Sequence, residues 1–155
     1  MIPPHGRLAG IDYGSVRIGV SVSDPNRMVA SPLDTYTRRD VKADAAYFQQ
    51  LVEEEQIVGF VIGLPVHMSG EESAKSHETR RFGTWLAEVT DRPIGYCDER
   101  YTTVQAEQML DRAGLRGKKR KARLDRIAAQ IILATYLESD GSVNGHPGPL
   151  DDKPT

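Results

Sequence analysis

The period of the apolar positions changes several times along the chain, and each change predicts an element. Residues 8–12 (LAGID) form a short apolar run closed by a carboxylate, a strand reading, with a turn signal at Tyr13-Gly14-Ser15. Over 18–23 (IGVSVS), Ile18, Val20 and Val22 alternate with glycine and serine, the period-two pattern of a strand. The two runs are near enough for an antiparallel hairpin, and a third strand fits 29–36, where Pro32 places it at an edge or a bulge. From 41 to 55 the period becomes helical, with Ala45, Phe48, Leu51 and Val52 on one face. Residues 58–64 (VGFVIGL) are continuously apolar and stopped by Pro65, which suits a strand buried on both faces. A helix over 73–89 presents Phe82, Trp85, Leu86 and Val89, and 94–99 (IGYCDE) reads as a short strand ending in carboxylates. Thr102-x-x-Gln105 fits a capping box for a helix that buries Ala106, Met109, Leu110 and Ala113 and stops at Gly114. The last helix, 124–138, is apolar on most sides and so predicted to be central. Three strands followed by helix–strand alternation predict an α/β chain, a mixed sheet with helices packed on it.

Composition adds bounds. The 155 residues suit one domain, read as 1–139, followed by a Gly/Pro/Asp-rich tail over 140–155 that reads as disordered. Net charge is −2, from 20 basic and 22 acidic residues, so any electrostatic argument has to be local. The single cysteine, Cys97, excludes an internal disulfide and a cysteine-pair metal site, and points to a reducing, cytoplasmic setting. The N-terminus MIPPHGRLAG lacks the apolar stretch of a secretory signal. The longest near-apolar run, Ile57 to Val66, is too short for a bilayer, so no membrane association is expected.

Carboxylates stand where elements end: Asp12 after the first strand, Asp98 and Glu99 after the last, and Asp125 near the start of the last helix. Each has an ordinary explanation alone. Asp125 suits a helix N-terminus, Asp12 a turn, and Glu99 a surface pair with Arg100. Together, converging acids need a cation, and all-oxygen ligation favours Mg²⁺ or Mn²⁺. Two such ions are the usual equipment for attack of water on a phosphodiester. Regular strand alternation sends only one of Asp98 and Glu99 toward Asp12, and the longer Glu99 is favoured. In D-Y-G-S-V-R, Gly14 permits a tight turn, Ser15 offers donors to a phosphate, and Arg17 adds a positive charge. The segment 112–123 (RAGLRGKKRKAR) contains Arg112, Arg116, Lys118, Lys119, Arg120, Lys121 and Arg123 and no acid. It reads as a basic loop before Asp125, suited to nucleic acid, or as a solvated linker between helices. His67 reads as a residue of the loop after Pro65 from which a substrate is within approach; His5, His77 and His146 read as exposed. Tyr13 and Tyr101 either stack on a base or pack locally.

These residues carry a resemblance. GIDYGSVRIGVSVSD, VIGLPVHMSGEES, CDERYTTVQAE, KKRK and LDRIAAQIILATYL, in this order, resemble the YqgF family of Holliday-junction-resolvase-like proteins over about Leu8 to Leu137. The resemblance implies a ribonuclease H-like fold, a mixed five-stranded sheet flanked by helices. It implies an acidic, metal-holding catalytic triad of Asp12, Glu99 and Asp125. Ser15, Arg17, the Gly63-Leu64-Pro65 turn, Arg100 and Thr103 match signature positions that arrange substrate. The implied role is endonucleolytic processing of the 5′ end of precursor 16S rRNA in the cytoplasm, during ribosome biogenesis. His67 and Ser69 depart from the Asn and Asp common in the family, which bears on substrate preference.

Three other readings compete: a junction-cutting DNA endonuclease using the same acids, an actin-like or sugar-kinase ATPase lobe, and a non-catalytic RNA-binding accessory factor. The chain is too short for the two lobes of the ATPase reading. A nucleic-acid partner is common to the other readings, and monomer and homodimer both stay open.

Overall fold

The computed structural model describes residues 1–65, 73–98, 111 and 117–139. Its strands are β1 (Arg7–Asp12), β2 (Arg17–Ser23), β3 (Ala30–Thr37), β4 (Ile57–Leu64) and β5 (Ile94–Asp98). Its helices are α1 (Val41–Glu55), α2 (Ala74–Thr90) and α3 (Gly117–Glu138). The five strands form one sheet in the order β3-β2-β1-β4-β5. β1, β2 and β3 are an antiparallel meander, while β4 and β5 run parallel to β1. β3 is an edge strand, and its pairing with β2 slips where Ser21 meets Pro32 and Val20 meets Asp34. The missing N–H of Pro32 is tolerated there, as its sequence position suggests.

Strand alternation sends side chains to two different layers. Ala9, Ile11, Ile18, Val20, Phe60 and Ile62 face α1 and α2, where they meet Phe48, Leu51, Phe82 and Leu86. Leu8, Val61 and Cys97 face α3, meeting Ile132, Leu133 and Tyr136. β4 is an interior strand buried on both faces, which explains its unbroken apolar run. α1 starts at an Asp40 cap that accepts a hydrogen bond from Ala43 N, and α2 starts at a Ser73–Ser76 capping box.

One expectation changes. The last helix begins at Gly117, not at 124, so the basic stretch from 117 to 123 is helix and not loop. Lys, Arg, Ala and Leu are good helix formers. A run of basic residues carries no apolar period, so the pattern marks the helix only from Leu124 onward. Asp125 therefore sits in the third turn of α3, away from the helix N-terminus and its dipole. β1 and β5 are not neighbours, because β4 lies between them. Of the helix expected over 102–113, only Asp111 is described, and it is helical. Glu99, Arg100, Tyr101, Thr103, His67, Ser69 and the 140–155 tail lie outside the described residues.

Candidate active site

β1, β4 and β5 are parallel, so Asp12, Leu64 and Asp98 all end at the same edge of the sheet. With strands ~4.8 Å apart, β5 stands ~10 Å from β1. Cys97 faces α3, so alternation turns Asp98 toward the other layer. Asp12 follows Leu8 and Gly10 in period two and shares their α3 face.

Asp12 meets Asp125 because the α3 face of β1 and β2 is made of small residues. Gly19, the cross-strand partner of Asp12, lies directly under α3: a Cβ there would collide with the Asp125 carbonyl. A Cβ on Gly10 would come within 2.7 Å of the Ala129 carbonyl and 2.8 Å of Leu133 Cβ. Asp125, Ala129 and Leu133, spaced i, i+4, i+8, form one ridge of the helix. Ser21 Oγ donates to the Ala129 carbonyl at 2.7 Å and fixes the helix along its axis. Backbone thus rests on backbone, and Asp125 is set beside the end of β1.

The electrostatics follow. Asp12 is pushed up from 3.8 to about 7, chiefly by burial and then by the Asp125 charge, with Lys75 opposing. Arg17 Nε donates to Asp125 Oδ2 at 3.0 Å. Among the described residues no three of His, Cys, Asp and Glu gather as around a metal. The structure brings Asp12 and Asp125 together, and Glu99 is not among the described residues.

Beside the two acids opens a cavity of about 650 Å³. One wall is the hairpin tip from Tyr13 to Arg17, including the exposed Ser15. That tip is tight because a Cβ on Gly14 would collide with the Arg17 carbonyl. The other wall is α2, through Ala74, Lys75, Glu78 and Arg81. A polar chain ties the walls together. Tyr13 Oη donates to Glu78 Oε1 at 3.1 Å and accepts from Arg38 Nη1 at 3.1 Å. Arg38 Nε donates to Asp44 Oδ2 at 3.2 Å, and Tyr36 Oη to Asp44 Oδ1 at 2.6 Å. Burial raises the Asp44 carboxyl, but bonds from Tyr36, the Arg39 amide and Arg38 outweigh it and hold it below the usual range. The Tyr13 ring packs on Phe82 with centroids 4.7 Å apart, so Tyr13 is a wedge between hairpin and α2 and not a free stacking platform.

Lys118, Lys119 and Arg120 lie in the first turns of α3, and Lys121 is exposed. They precede Asp125 by one to two helical turns, at 3.6 residues per turn. Sequence reasoning misses Lys75, Glu78 and Arg81. Their i, i+3, i+6 spacing was visible, but a polar stripe on an amphipathic helix reads as its solvated face. Asp44 and Arg38 are missed because a buried acid inside a helix gives no pattern of its own.

Comparison with known proteins bears on this arrangement. The family model RuvX, described as Holliday junction resolvase, matches residues 6–139. A protein of Rhodopirellula baltica named "Putative pre-16S rRNA nuclease" is 44% identical over 147 residues, covering 93% of this chain and 85% of that one. A Rhodobacter capsulatus protein of the same name is 43% identical over 137 residues, covering 88% and 86%. Among solved structures, T. thermophilus RuvC in complex with a Holliday junction substrate aligns with TM-score 0.54 at 17% identity, over 86% of this chain and 96% of that one. Fowlpox virus resolvase with Holliday junction DNA aligns with TM-score 0.52 at 10% identity, over 86% and 97%. At these identities the likeness is one of fold: the five-stranded mixed sheet with flanking helices is the ribonuclease H-like fold that the sequence suggests.

Proposed function

The chain belongs to the RuvX family of Holliday junction resolvases, and from that premise we propose that it is a metal-dependent, phosphodiester-cleaving nuclease that processes the 5′ end of precursor 16S rRNA. The supporting observation is the backbone-tight seat that sets Asp125 beside Asp12 at the mouth of a cavity rimmed by cations. The name shared by the curated relatives favours precursor rRNA as substrate over branched DNA. The chemistry of the donors fits a hard cation: two carboxylates, oxygen only, one of them held back from ionising by burial and its neighbour. Asp12 and Asp125 would hold Mg²⁺ or Mn²⁺, with Glu99 as the third acid of the triad. Such an ion would activate the attacking water and stabilise charge on the leaving 3′ oxygen.

The chain's own groups do the rest. Arg17 balances Asp125 and stands on the cavity wall, where its remaining guanidinium donors are placed for a phosphate oxygen. Ser15, at the exposed tip, offers its hydroxyl to the same phosphate. The Tyr13–Glu78 bond keeps the tip against α2, and the Tyr13–Arg38–Asp44 chain ties it to α1. Lys118, Lys119, Arg120 and Lys121 attract the backbone, and Arg100 and Thr103 arrange substrate. No described helix is long and apolar enough to cross a membrane, and we place the enzyme in the cytoplasm with its precursor substrate.

The test is cleavage of a precursor 16S 5′ fragment and of a four-way DNA junction, side by side, by the wild type and Asp12→Asn. The expected outcome is loss of cleavage by the variant with RNA binding kept or tightened, since a negative charge near phosphate is removed. Wild-type turnover by the variant removes Asp12 from the mechanism. Efficient cutting of the junction but not the precursor transfers the activity to branched DNA.

A further inference from the structure

The cations of the described residues divide into committed and uncommitted groups. Arg7, Arg17 and Arg38 are in ion pairs with Glu55, Asp125 and Asp44. On α2, Arg80 lies over the Tyr96 ring, 4.9 Å from its centroid, and so serves packing. Lys75 and Arg81 are different. Both are exposed, both line the cavity, and neither has an ion-pair partner among the described residues. Glu78, which lies between them in the helix, directs its carboxylate to the Tyr13 hydroxyl, and with one acid against two cations this wall is net positive. Two cations without an ion-pair partner among the described residues, facing the cavity that Asp125 also lines, are arranged for an anion.

The spacing indicates what kind. Six residues of helix put Lys75 and Arg81 ~9 Å apart along the axis of α2. A phosphate recurs every ~3.4 Å of axis along one strand of a duplex. The pair therefore spans more than one phosphate and suits a polymer backbone better than a single small anion. Neither residue belongs to the basic run at the start of α3, so α2 supplies the cavity with a basic wall of its own.

We infer that Lys75 and Arg81 form a phosphate-binding wall that grips the nucleic-acid strand flanking the scissile bond on the α2 side of the cavity. This rests on the nuclease reading and names the part of the site that holds the strand while Asp12 and Asp125 do chemistry. These are binding residues: the wall sets affinity and register without touching the reacting atoms.

The experiment measures binding of a fluorescein-labelled single-stranded RNA by anisotropy in EDTA, over a range of salt, for the wild type, Lys75→Ala, Arg81→Ala and the double variant. The full-length chain is used throughout. Each substitution is expected to flatten the slope of log K against log salt by about 0.7, and the double variant to bind roughly tenfold more weakly. With Mn²⁺ and saturating RNA, kcat of Arg81→Ala stays near wild type while its KM rises. Arg7→Gln, which removes a cation at the opposite end of β1, leaves slope and KM unchanged. A double variant with the wild-type slope and affinity overturns the wall and leaves the nuclease reading intact. A wild type that neither binds nor cuts RNA or junction DNA overturns both.

Discussion

The two faces of the sheet solve different problems. The α1/α2 face is filled by large rings. Phe48 sits edge-on to Phe60, Phe82 and Trp85, with centroids 6.3, 5.9 and 6.3 Å away. Such a layer gains stability from buried area and ring geometry. The α3 face over β1 and β2 carries Gly10, Gly19 and Ser21, where there is little side chain to bury. What it gains is close approach, and close approach is what places one carboxylate beside another. The first face should therefore be costly to alter in stability and cheap in activity. On the second, a substitution of one methyl group should damage function most.

The largest expected stability effect tests the first face. Phe48→Ala should cost ~3–5 kcal/mol in urea denaturation, while the folded fraction keeps the wild-type kcat. A large fall in kcat per folded molecule would mean that the two faces are not separable.

Asp12→Asn tests the second face with the opposite sign. The carboxyl of Asp12 is raised from 3.8 to about 7 in the folded protein. Between those values the native state keeps a proton that the unfolded chain releases, so its relative stability falls as pH rises through that window and levels off above about 7. The neutral amide of the variant lacks this penalty. In EDTA the variant should match the wild type near pH 4 and exceed it at pH 8, by at most ~4 kcal/mol. Flat behaviour of the difference between these pH values would show that Asp12 ionises freely.

Gly19→Ala is the sharpest contrast, because a single methyl is added. Overpacking should cost ~1–3 kcal/mol, less than Phe48→Ala. Yet cleavage should be lost beyond what the folded fraction explains, as α3 is pushed off β2 and Asp125 leaves Asp12. Full activity in this variant would break the link between the glycine seat and the site.

Much of this was legible in the chain. α1 was marked by a helical apolar period, β4 by an unbroken apolar run, and the edge position of β3 by Pro32. Those signals are local, and the structure keeps them. The start of α3 was not legible, since a basic stretch has no apolar period to read. Ile18, Val20 and Val22 announced a strand, but the glycine and serine between them looked like the side without a job. Burial of Ser21 at 0% exposure shows that this side is a helix seat.

By itself, then, the sequence determined the kinds of element, their order, the two inward-facing patterns and the acids at the strand ends, because each depends on neighbours a few residues away. Only the tertiary structure decided that Asp12 meets Asp125 across a glycine, that Arg17 pairs with that aspartate, and that α2 turns Lys75 and Arg81 toward the same cavity. Those relations join residues as far apart in the chain as Asp12 and Asp125. They depend on how closely two backbones approach, and no local pattern records that.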